Sequence, residues 1–218
     1  MDVFEAVQNR HSVRSYLDTP IPEETAKKLR GAIEDVNRES GLHFALFTQE
    51  LTGFAGKLKN VRNYIAFAGS GEKLEERIGY YGAKLMLEAQ MLGLNSCWVA
   101  MSFNKGAVTK LMALQEVEKV VNALALGYGE TQGIPHRTKP MKKLCRCDGP
   151  MPDWFRKGME TVMLAPTAIN QQQFLFTLAD GTVSARAKLG PCSQIDLGIV
   201  KYYFEIGSGK KVFSTDKK

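Results

Sequence analysis

Apolar residues along the chain fall into two periods, and the switches between them mark out the elements. From Glu23, the residues Ala26, Leu29, Ile33 and Val36 recur at helical spacing, with Lys27, Lys28, Arg30 and Glu34 on the opposite face. That pattern predicts an amphipathic helix. Pro22 suits its first position, and Ser40-Gly41 should end it. A short helix over residues 3–10 precedes it. His43–Thr48 reads as a strand and Tyr64–Ala68 as another, closed by Gly-Ser-Gly-Glu. The polar, glycine-interrupted stretch 51–63 between them reads as a short helix or loop. Leu74–Leu92 is apolar on most sides, so it is expected as a helix inside the core, capped at Gly93. The segment LNSCWVAMSF, a helix over Lys105–Leu114 and a strand over Val120–Gly127 follow.

Residues 130–150 contain three prolines, two glycines and a basic cluster, and read as a connector. Pro152 opens a further helix. Phe174–Leu178 and Thr182–Leu189 read as two strands joined at Asp180-Gly181, a hairpin signal. Ile195–Gly207 reads as a second apolar helix, with Ile195, Ile199, Tyr202 and Ile206 on one face. The two parts echo each other. Each has a proline-led helix, then a strand beginning at His43 or Phe174, and later an apolar helix ending at Gly93 or Gly207. This spacing suggests a degenerate internal duplication. The expected organisation is an N-terminal half (1–129), a connector (130–150) and a C-terminal half (151–218).

Composition sharpens the picture mainly through charge. The chain has 218 residues and a net charge of +6. Residues 1–129 hold 15 Lys/Arg and 15 Asp/Glu, whereas residues 130–218 hold 14 Lys/Arg and 8 Asp/Glu. Arg137, Lys139, Lys142, Lys143 and Arg146 form one basic cluster; Lys210, Lys211, Lys217 and Lys218 form a tail expected to be solvated. Such clusters attract phosphates or nucleic acid. The 137–146 cluster lacks the interleaved aromatics of a nucleic-acid platform, so no nucleic-acid partner is expected. No apolar run reaches the roughly 20 residues of a membrane helix. The first residues lack a basic region followed by an apolar core, which gives no sign of a signal peptide. The cysteines, Cys97, Cys145, Cys147 and Cys192, have no histidine at a ligand spacing. Reduced thiols in a cytoplasm, with no metal and no membrane, are the expectation.

Two segments hold the candidate chemistry. Arg10, His11, Ser12 and Arg14 place two guanidinium groups, a hydroxyl and an imidazole within five residues, a set suited to phosphate and carbonyl oxygens. The other segment is Ala165-Pro166-Thr167-Ala168-Ile169-Asn170-Gln171-Gln172, between a helix and a strand. Its hydroxyl and amide groups match the alternating donors and acceptors of a planar heterocycle. Gly127-Tyr128-Gly129 is a strand-end turn and not a dinucleotide fingerprint. No Ser-His-Asp order and no phosphate loop is present.

Together, R-H-S-x-R near the start, a proline-led helix, an apolar helix ending L-G-L-N-S-C-W-V, and A-P-T-A-x-N-Q-Q resemble the FMN-dependent nitroreductase family. In ordinary members A-P-S-x-x-N-x-Q-P-W follows the first proline-led helix. Here ESGLHFALF stands there, and the motif follows the second such helix. That order is similar to the branch built as a fused tandem of the fold. The resemblance implies an α+β fold, with a mixed, mainly antiparallel sheet flanked by helices and two apolar helices packed together. It implies one FMN, held by a chain that imitates the family's dimer and can act as a monomer, with a homodimer as the alternative, and NAD(P)H as electron donor. The acceptor would be a nitroaromatic, quinone or similar small molecule, reached by a ping-pong mechanism. Arg10, His11 and Ser12 would hold the phosphate and ribityl side, and Arg14 the pyrimidine edge. Pro166, Thr167, Ala168, Asn170 and Gln172 would line the ring. Trp98, Val99, Ala100 and Met101 would pass its edge, and Arg137 and Lys139 would close on the phosphate. Gln173-Phe174 replaces the usual Pro-Trp. The alternatives are a non-catalytic flavin-binding or electron-relay protein and, outside the family, a basic nucleic-acid-binding protein.

Overall fold

A computed structural model describes residues 1–48 and 58–213, so most of the polar stretch 51–63, expected as a short helix or loop, and the last two tail lysines lie outside the described residues. The described residues form two compact units, one from residues 1–74 and 84–134 and one from residues 75–83 and 135–213.

The first unit begins with α1 (Val3–Asn9). Asp2 caps it and Glu5 reaches back, a reciprocal capping box. Helix α2 (Glu23–Ser40) buries the predicted stripe of Ala26, Leu29, Ile33 and Val36. Pro22 is its N-cap, one position earlier than predicted, and Gly41 ends it with a φ of 69°, which glycine adopts without strain. Strands β1 (His43–Phe47), β2 (Asn63–Gly69), β3 (Asn95–Val99) and β4 (Lys119–Gly127) form an antiparallel sheet in the order β1-β2-β4-β3. Every residue of β2 is buried, which fits its continuous apolar run. One core cluster includes Tyr64, Ala66, Val99, Ala123 and Ala125 of the sheet and Val13, Tyr16 and Phe103 from the segments that border it. Helix α4 (Lys105–Leu111) is shorter than predicted; Asn104 caps its start through the Ala107 amide.

Helix α3 (Leu74–Met91) is the apolar helix expected in the core, and residues 75–83 of it belong to the second unit. There it meets α6 (Ser193–Ser208). A side-chain carbon on Gly79 would collide with the Ile195 carbonyl, and one on Gly198 with the Glu76 carbonyl. The two helices therefore touch backbone to backbone, as the expectation of packed apolar helices requires. Tyr80 Oη donates to buried Glu205 at 2.6 Å, and the Val212 and Phe213 amides donate to the same carboxylate at 2.9 Å. Helix α5 (Asp153–Val162) packs on α6, with Gly158 under the Phe204 ring. Phe204 stacks on Phe176 at 5.0 Å, and Phe155 and Phe213 complete the aromatic cluster.

Three sequence expectations change here. The fold has two sheets where one was predicted: β5 (Cys145–Cys147), β6 (Phe174–Ala179) and β7 (Thr182–Ala187) make a second one. Only this smaller sheet is mixed, since β5 runs parallel to β6 and β7 antiparallel to it. The predicted connector thus ends in a strand, which its C-R-C sequence is too short to announce. Gly207 is not a cap; it lies inside α6 against Thr161, and Gly209, with a φ of 65°, ends the helix. Lys210 and Lys211 of the tail are exposed, yet they also make contacts: Lys210 Nζ sits 4.0 Å from the Trp154 ring centre, and Lys211 pairs with Glu205 at 3.0 Å. The predicted hairpin forms, with Asp180 and Gly181 both at positive φ.

Candidate functional site

In the first unit, α1 delivers the chain into an extended segment laid beside β3. Ser12 bridges Ser96, and the Val13 amide donates to the Ser96 carbonyl at 3.0 Å. The Tyr16 hydroxyl, buried beneath, donates to the carbonyls of Val13 at 2.7 Å and Ala125 at 3.3 Å. Leu17 and Glu130 add backbone bonds to Tyr128 and Ser15. Gly133 lies so close that a side-chain carbon there would stand 2.8 Å from His11 Cβ. The Arg10–Arg14 segment is therefore clamped on several sides before any ligand arrives.

Arg10 is 3% exposed, and its Nε has no hydrogen-bond partner. No carboxylate among the described residues pairs with Arg10 or with exposed Arg14. A buried cation without an anion costs several kcal/mol (roughly, once relaxation is allowed). Both charges are felt by neighbouring groups. Burial pushes the Cys97 thiol up while Arg14 and Arg10 pull it down. Burial, then the Arg10 charge, lowers the His11 imidazole below its ordinary value. Ser96 Oγ is a second buried atom without a partner. A buried guanidinium and a hydroxyl without partners suit an anionic or oxygen-rich group, and the phosphate and ribityl hydroxyls of FMN would match that donor set.

Trp98 belongs to the framework: its Nε1 donates to Met86 Sδ at 3.1 Å and its ring lies 5.0 Å from Phe67. Val99 is core, Ala100 is half-buried and Met101 is 89% exposed.

In the second unit the Pro166–Gln172 segment leaves α5 and passes through a tight turn. Ile169, Asn170 and Gln172 have φ of 47°, 56° and 45°, a conformation that is strained for isoleucine above all. Side chains hold it there. Asn170 Nδ2 donates to the Arg137 carbonyl at 2.8 Å, and its Oδ1 accepts from Gln172 Nε2 at 2.9 Å. Gln172 is buried; it also accepts from the Lys139 amide at 2.8 Å and donates to the Arg137 carbonyl at 2.9 Å. Thr167 Oγ1 accepts from the Gln172 amide at 3.1 Å, and Lys139 Nζ donates to the Gln171 carbonyl at 2.6 Å. So Arg137 and Lys139 do meet the A-P-T-A-x-N-Q-Q segment. Much of the polar capacity expected to read a heterocycle is spent on shaping the turn.

Sequence reasoning missed Asp196. It is 2% exposed in α6 and accepts from the Ala168 amide at 2.9 Å and from Gln171 Nε2 at 2.8 Å. Burial raises its carboxyl to about 6, against the lowering effect of those two bonds. Its signal was an acid in the apolar first turns of α6, Ile195-Asp196-Leu197-Gly198.

A family profile described as "Putative TM nitroreductase" matches residues 2–208. A "putative nitroreductase" from Thermotoga maritima superposes with a TM-score of 0.69 at 21% identity, covering 95% of this chain and 83% of its own. A "Putative NADH dehydrogenase/NAD(P)H nitroreductase" from Parabacteroides distasonis gives 0.52 at 23% identity, covering 65% and 95%. A "Nitroreductase Family Protein" from Streptococcus pneumoniae gives 0.53 at 14% identity, covering 65% and 98%. At these identities the likenesses show the fold alone. No curated sequence matches the chain.

Proposed function

The chain belongs to this nitroreductase family, and from that premise we propose that it is an FMN-dependent oxidoreductase using NAD(P)H. The single observation that supports this most is Arg10, a buried guanidinium with an unpartnered Nε and no ion pair among the described residues. Bound FMN would supply the redox chemistry, taking hydride from NAD(P)H and handing electrons to a nitroaromatic, quinone or similar acceptor in a ping-pong cycle.

The residues of the chain bind, orient and tune. Arg10 supplies a fixed positive charge, and Ser12 and His11 supply hydrogen-bonding groups beside it. Arg14 supplies an exposed cation that favours negative charge developing on a ring. Pro166, Thr167 and Ala168 present a rigid edge because Asn170, Gln172 and Asp196 hold the turn behind them. Arg137, exposed and free of any ion pair among the described residues, can neutralise a phosphate, with Lys139 beside it. Backbone at Val99–Met101 can border the ligand. We propose further that one chain binds one FMN and works as a monomer.

Purification tests the reading directly. The protein should absorb near about 450 nm, as flavin does, with one FMN per chain. Arg10→Met should lose the flavin while retaining the fold. A colourless protein that takes up no added FMN would refute the reading, and two FMN per chain would refute the stoichiometry. A yellow protein that turns over no NAD(P)H with an acceptor would be an electron relay.

A further inference from the structure

One end of the small sheet concentrates positive charge without compensation. The second unit holds 13 Lys/Arg against 8 Asp/Glu over residues 75–83 and 135–213, whereas the first, over 1–74 and 84–134, holds 14 of each. No acidic residue occurs in 131–147 or in 181–195. The sheet register brings these two acid-free stretches together. Thr177 pairs with Arg146 on one side and Ser184 on the other, and Leu175 pairs with Arg186, so Arg146 and Arg186 lie on the face turned away from the Phe174–Phe176 core. Lys188 continues β7, its amide bonded to the Gln173 carbonyl.

Burial, then the like charges of Lys139, Arg186 and Arg146, lower the Lys188 ammonium below the ordinary lysine value. Lys188 thus stands among three like charges. None of the four is in an ion pair among the described residues. Like charges held this close destabilise a protein unless an anion joins them. Beside them lie two apolar side chains with nothing over them: Ile169 is 87% exposed and Leu189 is 99% exposed. Gln171 ties their two segments together, donating to the Pro191 carbonyl at 2.6 Å.

We infer that Arg146, Arg186 and Lys188, with Lys139 behind them, form a phosphomonoester site that makes the protein select NADPH over NADH through the adenosine 2′-phosphate. This rests on the oxidoreductase reading above. A phosphomonoester has close to two negative charges near pH 7, which NADH lacks at that position. Arginine's planar fork suits it, and the exposed Ile169 and Leu189 offer an apolar lip for the adenine.

Calorimetry with adenosine 2′,5′-bisphosphate and with 5′-AMP reads the site without turnover. The bisphosphate should bind at least about tenfold tighter, and less so as salt rises. Steady-state kinetics should favour NADPH in kcat/KM by at least about tenfold, and Arg186→Ala and Lys188→Ala should each remove most of that preference through KM, leaving NADH values as they were. Equal binding of the two nucleotides, or equal use of NADH and NADPH, overturns the inference. So does loss of FMN from either variant, which would assign the cluster to the flavin's own phosphate. A protein without flavin would instead defeat the oxidoreductase reading, and the calorimetry would still report on the cluster.

Discussion

Replacing Asp196 by asparagine separates the stability of this protein from its candidate site. The carboxyl is raised from 3.8 to about 6 by burial, and no salt bridge among the described residues reaches it. A folded-state value above the unfolded one means that the native chain holds its proton longer. The stabilisation from this group is therefore complete below about pH 3.8 and is lost as pH rises through about 6. A rise of roughly two pH units corresponds to about 3 kcal/mol. Asparagine resembles the protonated acid in shape and charge, and it cannot ionise. The wild type and Asp196→Asn should thus have similar stability near pH 4, and the variant should be more stable by up to about 3 kcal/mol at pH 7. Denaturant unfolding of both proteins from pH 4 to 7 measures the difference, and titrations elsewhere cancel in it. The variant also weakens the acceptor for the Ala168 amide and Gln171 Nε2, so it should hold FMN less well while unfolding later. Stability curves that stay parallel across the range would refute the argument.

Three further outcomes can be checked. Gly198→Ala places a carbon against the Glu76 carbonyl, and since backbone cannot yield as a side chain can, a loss of about 3 kcal/mol is expected in thermal unfolding. Ile169→Gly relieves a β-branched residue at a φ of 47° and should raise stability by about 1 kcal/mol, because Ile169 has little contact to lose at 87% exposure. His11 should titrate by NMR below 6.5, the ordinary histidine value, and replacing Arg10 by Met should move its midpoint upward.

The amphipathic stripe of α2, the apolar run of β2 and the Asp180-Gly181 turn were all legible, because each is written in neighbouring residues. Strand β5 was not. Three residues have no period, and what makes Cys145–Cys147 a strand is the edge of β6, whose paired residues come 31 positions later. The four cations at the end of the small sheet also come from two distant stretches, and only the ladder unites Arg146 with Arg186. The Arg10–Arg14 and Pro166–Gln172 segments stand out in sequence by residue type, whereas the contacts of their side chains do not. Asn170 and Gln172 look in sequence like ligand-reading amides, and in the fold they brace a turn. Asp196 was hidden by its context, since an acid in an apolar helix reads as an interruption until its two donors are seen.

The contact between Tyr80 and Glu205 joins residues 125 positions apart, and the backbone approach of Gly79 to α6 spans a similar distance. Residues 75–83 leave the ribosome long before the helix that encloses them exists. The first unit has its remaining strands by Gly127, but the second must wait for α6, the last element among the described residues. Loop closure over such a span is slow, and the waiting apolar segment is exposed meanwhile. The late-made helix α6 therefore sets the pace at which the second unit can fold.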